Sequence, residues 1–261
     1  MNLDLLELAQ FVHDASAVLP DKNAAMKIFS LIDLTSLNEA DTDNTIIALC
    51  KKAVNNADHV AAICIYPKFV KHAKEYFRHV PVKLATVANF PQGMDGIDKT
   101  ILSIQQSITH GAEEIDVVFP YQDFLKGNNI QDFISACKKV CGKSILLKVI
   151  LETGAIKDPH LIAKASEEVL IAGADFVKTS TGKISQGATL EAAACLLLTI
   201  RELTPTLKRP LGFKASGGVR TLAQAMQYIA LAEAIMGKGW VTPASFRLGA
   251  SQLVDEILGQ P

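Results

Sequence analysis

The chain has 261 residues, of which 49% are hydrophobic and 20% are charged, a composition typical of a globular protein. Its net charge of -1 argues against an extended nucleic-acid or membrane-binding surface, and no apolar stretch reaches the roughly 18 to 20 residues of a membrane helix. Five cysteines without disulfide-like spacing, together with an acidic N-terminus, predict a cytoplasmic protein.

In chain order, the first predicted element is a helix over residues 5–19. Eight short runs rich in Val, Ile and Phe follow, and they are continuous in hydrophobicity, as is typical of parallel strands buried on both faces. The predicted strands are 28–34, 60–66, 83–89, 114–119, 145–151, 176–181, 212–215 and 246–249. Segments with helical periodicity lie between them, at 43–54, 67–79, 97–110, 159–172, 190–203 and 222–231.

The spacing of these strands indicates the fold class. Eight strand-plus-helix units in a chain of this length predict an α/β fold, a single (β/α)₈ TIM barrel domain over residues 1–261 with an N-terminal helical extension over residues 1–25. The alternative is a doubly wound open sheet, which usually begins with a glycine-rich turn after its first strand. The first run instead continues into Asp33, Leu34 and Thr35.

Three of the predicted strands each contain a lysine near the C-terminal end, namely Lys148, Lys178 and Lys214. An unpaired ammonium group is costly to bury, so three of them at one level of a sheet indicate chemistry. A lysine whose pKa is lowered by burial beside other cations is a nucleophile for carbonyl carbons. A structural ion pair stays open as the alternative for Lys148, with Asp116 or Glu152 as its partner.

The active sites of barrels form at the C-terminal ends of the strands. There the sequence places Asp33, Cys64, Asn89 and Asp116 on the first four strands. Cys64 is either packed in the core or part of a pocket wall. The histidines fall in helices or loops, so the strand ends show no histidine cluster for a metal ion.

Glycines and polar residues follow the last three strands and predict a phosphate site. Gly182 and Lys183 come after the sixth strand, Gly217 and Gly218 after the seventh, and Ser251 after the eighth. Glycine lets backbone N–H groups approach an anion closely, and the loops after strands seven and eight are the habitual phosphate site of such barrels.

Five motifs together resemble the family of deoxyribose-phosphate aldolases, in order along residues 28–251. They are DLTSLN (33–38), AICIYP (62–67), DVVFPY (116–121), AGADFVKTSTGK (172–183) and GFKASGGVR (212–220). The resemblance implies a class I aldolase without metal or cofactor, which cleaves 2-deoxyribose 5-phosphate to glyceraldehyde 3-phosphate and acetaldehyde in deoxyribonucleotide catabolism. It also implies a homodimer or other homo-oligomer.

The resemblance assigns roles to particular residues. Lys178 is the Schiff-base nucleophile, Lys214 is the cation that lowers its pKa, and Asp116 relays protons with Lys214 and a water molecule. The phosphate residues are Gly182, Lys183, Gly217, Gly218 and Ser251, and the pocket residues are Asp33, Thr35, Cys64, Lys148 and Thr181.

Two departures from the family concern the end of the chain. Gln252 follows Ser251 where the family often has a second serine, and no tyrosine follows Tyr228, whereas many members end in a tyrosine that assists proton transfer. We therefore expect a slower proton transfer at the acetaldehyde carbon, or one left to water and Asp116. The competing hypotheses are another Schiff-base barrel that takes a ketone donor, a phosphosugar isomerase, and a non-catalytic phosphate-binding barrel.

Overall fold

A computed structural model describes residues 3–259 and shows a closed barrel of eight parallel strands with helices around it. Each strand pairs with its neighbours in sequence, and the first pairs with the last. The strands are β1 (Ile32–Ser36), β2 (Ala62–Ile65), β3 (Lys83–Ala88), β4 (Glu114–Val118), β5 (Leu146–Ile150), β6 (Phe176–Lys178), β7 (Gly212–Ser216) and β8 (Phe246–Ala250). The predicted (β/α)₈ barrel with an extra N-terminal helix is thereby confirmed.

Helices surround the barrel, before its first strand, between its strands and after its last strand. They are α1 (Leu5–Ser16), α2 (Ala25–Ser30), α3 (Asp43–Lys52), α4 (Val70–Tyr76), α5 (Ile97–Thr109), α6 (Tyr121–Leu125), α7 (Gln131–Cys141), α8 (Thr153–Ile156), α9 (Pro159–Ile171), α10 (Leu190–Leu207), α11 (Leu222–Met236) and α12 (Gln252–Leu258). No helix within residues 3–259 has the length and hydrophobicity to span a membrane. The sequence has no tyrosine after Tyr228, and its last two residues lie outside the described range.

The strand boundaries lie within two residues of the prediction, except at two places. The first strand begins at Ile32, because Ile28 and Phe29 belong to α2 and are buried on a helix face. A short apolar run does not distinguish a strand from a buried helix. The sixth strand ends at Lys178, whereas the prediction extended it to residue 181. Residues 179–181 leave the ladder there and begin the loop that borders the cavity described below.

The helix α1 packs on the outside of the barrel, against α10 and α11. Its start is capped by the Asp4 carboxylate, which accepts hydrogen bonds from the Leu6 and Glu7 N–H groups. Arg201 donates to Glu7 at 2.8 Å. The helix of the extension is therefore a part of the helical layer.

The barrel interior is divided into an apolar side and an ionic side. On β2 and β3 it is filled by small apolar side chains, Ala62, Cys64, Ala85 and Val87. The interior positions of β1 and β4–β8 instead hold carboxylates and cations, which form the charged cluster described in the next section. Between the strands and the outer helices lies a continuous apolar core, which holds this ionic interior in place.

Candidate active site

Strand register places the three lysines at two levels. The Cα atoms of Lys178 and Lys214 are direct partners on β6 and β7, and Lys214 is in turn aligned with Arg247 on β8. Lys148 on β5 is aligned with Asp116 on β4. Because side chains alternate along a strand, these residues all point into the barrel, where their charged groups meet.

Asp116 is the common partner of the three lysines. Its Oδ2 atom accepts from Lys178 Nζ and from Lys214 Nζ, each at 2.8 Å, and its Oδ1 atom accepts from Lys148 Nζ at 2.9 Å. The Asp116 and Lys214 side chains are fully buried, and Lys178 is 2% exposed. The carboxylate therefore fixes three ammonium groups around one point of the interior.

A second group of charges lies beneath this point. Asp33 forms an ion pair with Lys214 at 2.6 Å and accepts a hydrogen bond from Arg247 at 2.6 Å. Glu114 accepts from Lys148 at 2.5 Å and from Arg247 at 2.9 Å. Glu114 and Arg247 were not among the predicted site residues, although an arginine inside the last apolar run is a detectable signal. The predicted alternative for Lys148 is also refined, because its carboxylate partners include Asp116 and Glu114 and not Glu152.

The cluster contains four cations and three carboxylates, so it holds one positive charge too many when all are ionised. Burial raises the pKa of Asp116, but the ammonium groups of Lys148 and Lys178 outweigh burial and hold the pKa well below its usual value. The nearby carboxylates raise the pKa of Lys148, in spite of burial. They raise the pKa of Lys214 in the same way.

Lys178 behaves differently from the other two lysines. Burial lowers its pKa, Asp116 opposes this effect, and the positive charge of Lys214 adds to the lowering. Burial is thus the larger cause of the lowered pKa, and the charge of Lys214, to which the resemblance gives this role, is a smaller one. Lys178 is therefore the lysine of the cluster that is most easily deprotonated.

A cavity of about 440 Å³ opens above Lys178, at the C-terminal ends of the strands. Seven further predicted residues line it, namely Thr35, Thr181, Gly182, Lys183, Gly217, Gly218 and Ser251. Five others lie buried outside the lining and form the layer around and beneath Lys178: Asp33, Cys64, Asp116, Lys148 and Lys214. Arg220 also lines the cavity and was not among the predicted site residues.

Cys64 lies against the charged cluster on its apolar side. Its Sγ atom is 3.9 Å from Asp116 Oδ2, and burial raises the pKa of the thiol. The thiol is thus protonated at neutral pH. Of the two readings that the sequence left open, the structure favours core packing beside Asp116.

The glycines on the rim of the cavity adopt backbone conformations that other residues avoid. Gly217 and Gly218 have φ values of 89° and 92°, in the left-handed region. Neighbouring Gly187 lies so close that an added Cβ would be 2.2 Å from the Gly217 carbonyl oxygen. The Ala188 N–H donates to that same oxygen at 2.8 Å. The loops after β6 and β7 are therefore packed directly on one another.

Lys183 and Thr181 order the loop after β6. The Lys183 N–H donates to the Thr181 hydroxyl at 3.0 Å, and the Lys183 amine donates to the Leu37 carbonyl at 2.5 Å. The amine therefore reaches from β6 to the loop after β1, across one side of the cavity. The Thr181 hydroxyl in turn donates to the carboxylate of Glu152, a buried residue that follows β5.

The barrel thus has three buried lysines at and below the floor of a cavity rimmed by glycines, and comparison with known proteins identifies the family of the chain. The model of the family described as "DeoC/LacD family aldolase" matches residues 27–242. The chain therefore belongs to this aldolase family.

Solved structures with the same fold cover almost the whole chain. One from Coccidioides immitis, named "putative deoxyribose-phosphate aldolase", is 26% identical over 98% of both chains, with a TM-score of 0.77. A structure of the same name from Toxoplasma gondii ME49 is 22% identical over 96% of both chains, with a TM-score of 0.82. The deoxyribose phosphate aldolase from Aeropyrum pernix, described as a unique tetramer, is 23% identical over 98% of this chain and 97% of its own, with a TM-score of 0.72.

Proposed function

We propose that this aldolase cleaves 2-deoxyribose 5-phosphate reversibly to glyceraldehyde 3-phosphate and acetaldehyde through a Schiff base on Lys178. The observation that supports this most strongly is the position of Lys178. Its amine stands at the floor of the cavity, its pKa is lowered, and the glycine loops on the rim can accommodate a phosphate. The 26% identical relative from Coccidioides immitis carries the corresponding name.

The first step is attack of the neutral Lys178 amine on the C1 aldehyde of the open-chain sugar. Addition gives a carbinolamine, and loss of water gives a protonated imine. The neutral amine leaves the other cluster charges balanced, with Lys148, Lys214 and Arg247 against the three carboxylates. Deprotonation of Lys178 therefore removes an excess charge, which favours the reactive form of the lysine.

The second step breaks the bond between C2 and C3. The C3 hydroxyl loses its proton, its oxygen forms the new aldehyde, and the electron pair of the bond moves to C2 to give an enamine on Lys178. Asp116 and Lys214 relay the proton, directly or through water. The low pKa of Asp116 suits a relay, because the carboxylate passes a proton on without retaining it. Protonation of C2 and hydrolysis of the imine then release acetaldehyde.

The phosphate binds at the rim of the cavity, above the Schiff base. Gly182, Gly217 and Gly218 offer backbone N–H groups, Ser251 offers a hydroxyl, and Lys183 offers a positive charge. This arrangement selects an aldehyde acceptor that carries a terminal phosphate. We further propose that the enzyme acts in the cytoplasm in deoxyribonucleotide catabolism, as a homo-oligomer.

Reductive trapping tests the proposal. Incubation with acetaldehyde and borohydride, followed by peptide mapping, is expected to place one ethyl group on Lys178 and to leave Lys148 and Lys214 unmodified. Lys178→Met should abolish trapping and cleavage together. Modification of Lys148 or Lys214 in the wild type, or trapping with dihydroxyacetone in place of acetaldehyde, would contradict the proposed nucleophile or the proposed donor.

A further inference from the structure

Glu152 is a buried carboxylate that the proposed mechanism does not use. It directly follows β5 and is 0% exposed, and its backbone has a φ value of 52°, in the left-handed region that residues with a side chain rarely adopt. A buried acidic group in such a conformation is costly and persists where the surrounding structure requires it.

Within residues 3–259, the hydrogen bonds of the Glu152 carboxylate both run to one residue of the loop after β6. Oε1 accepts from the Thr181 N–H at 3.2 Å, and Oε2 accepts from the Thr181 hydroxyl. Among residues 3–259, no ion pair with a lysine or arginine is formed by this carboxylate, unlike those of Asp33, Glu114 and Asp116. Its hydrogen bonds therefore serve the loop, and the positive charge of Lys178 acts on it without a direct ion pair.

A second contact joins the same two segments. Gly154 lies two residues after Glu152, and an added Cβ there would be 2.2 Å from the Gln186 carbonyl oxygen. The loop after β6 is thus held at both of its ends, by Glu152 at Thr181 and by Gly154 at Gln186. Since Gly187 packs against Gly217, the contact continues to the loop after β7.

We infer that Glu152 and Gly154 are positioning residues, which hold the segment 181–188 so that its backbone faces the substrate phosphate and which thereby set the preference for phosphorylated substrates. Neither residue lines the cavity, so both act through Thr181 and Gln186. The inference rests on the proposed function, because it takes the rim loops as the phosphate site. It adds that the turn after β5 contributes to the specificity of that site.

The test compares Glu152→Gln and Gly154→Ala with the wild type. Glutamine keeps the volume and one acceptor oxygen, but its amide nitrogen cannot accept from the Thr181 hydroxyl. Alanine at position 154 pushes against the Gln186 carbonyl. Glu113→Gln is the matched control, since Glu113 pairs with Lys74 and Lys83 on the surface, away from the cavity.

Three quantities are measured: KM and kcat for deoxyribose 5-phosphate, the same constants for deoxyribose, and trapping of acetaldehyde by borohydride. For Glu152→Gln we expect KM for the phosphorylated sugar to rise about threefold to tenfold, the factor that one lost hydrogen bond produces. The constants for deoxyribose and the trapping of acetaldehyde should stay unchanged, because neither compound has a phosphate. Gly154→Ala should also raise KM for the phosphorylated sugar alone, and Glu113→Gln should leave all of these quantities unchanged.

The inference would be overturned if both variants kept the wild-type preference for deoxyribose 5-phosphate over deoxyribose. An equal loss of trapping and cleavage would also overturn it, because Glu152 would then act on the reaction of Lys178 and not on the phosphate. If the wild type fails to trap acetaldehyde, the proposed function fails. Calorimetric titration with inorganic phosphate still decides the positioning role, since weaker binding in Glu152→Gln supports it and equal binding refutes it. Should Glu152→Gln lose its fold by circular dichroism, Thr181→Val removes the same hydroxyl bond from the other side.

Discussion

Lys178 and Lys214 are aligned on neighbouring strands, and their amines donate to the same oxygen of Asp116 at the same distance of 2.8 Å. Two ammonium groups on one carboxylate oxygen repel each other in a medium of low dielectric. Lys214 forms a second ion pair, with Asp33 at 2.6 Å. The ion pair of Lys178 within residues 3–259 is the one with Asp116. The lysine with fewer carboxylates is therefore the one that gives up its proton.

Replacing Lys214 should move the titration of Lys178 upward. In Lys214→Leu the repulsion is gone and Asp116 is freer to attract Lys178, so the pKa of Lys178 should rise. Imine formation needs the neutral amine and should therefore shift to higher pH. Single-turnover borohydride trapping across a pH series measures this shift. Coincident profiles for wild type and variant would mean that burial sets the pKa of Lys178 without help from Lys214.

Lys148 should be needed for stability more than for nucleophilic attack. It is 0% exposed and forms ion pairs with Glu114 and Asp116, so Lys148→Met leaves buried carboxylates with fewer partners. We expect a loss of about 3 to 5 kcal/mol in the free energy of unfolding, measured by urea denaturation. Lys126→Met breaks an exposed pair with Asp123 and should cost less than about 1 kcal/mol. A Lys148 variant as stable as this control would contradict the structural role.

The positions of the site residues could be predicted from the sequence, because an ionisable residue inside a continuous apolar run is conspicuous. Lys178, Lys214 and Asp116 were found in this way, and the glycine pairs marked the rim of the cavity. The resemblance to a family gave their proposed roles. The barrel followed from the count and spacing of the strands.

The pairing of the charges could not be predicted, because it depends on register between strands that are far apart in sequence. Arg247 was overlooked in the last strand although it pairs with Asp33 on the first. Glu114 is the first residue of its strand, where a carboxylate usually meets solvent, yet here it is buried. The left-handed backbone of Glu152 likewise has no signature in the sequence, since no glycine or asparagine occupies the position.

Lys183 should govern binding of the phosphate. Lys183→Met removes a positive charge at the rim and should raise KM for deoxyribose 5-phosphate about tenfold, with little change for deoxyribose. The variant also loses the bond to the Leu37 carbonyl, so its stability is measured alongside the kinetics. Lys126→Met, whose lysine lies on the surface, is the kinetic control. An equal effect on both sugars would show that Lys183 orders the cavity and does not recognise phosphate.

Replacing Lys178 itself should change how stability depends on pH. The pKa of Lys178 is lowered in the folded protein and is about 10.4 in the unfolded chain, so between these values the unfolded chain binds one more proton. The free energy of unfolding of the wild type therefore contains a contribution that rises with pH in this window, by up to about 1.4 kcal/mol per unit. Lys178→Met lacks that contribution.

The variant should consequently be more stable than the wild type at neutral pH, and the difference should shrink as the pH approaches about 10.4. The expected gain has a structural reason, since Asp116 keeps Lys148 and Lys214 as partners and the cluster of Lys148, Lys214 and Arg247 with three carboxylates is balanced without Lys178. Urea denaturation at a series of pH values measures the difference. A constant difference between the two proteins throughout this window would show that Lys178 has an ordinary pKa in the folded state, and the buried amine would then stay protonated at neutral pH.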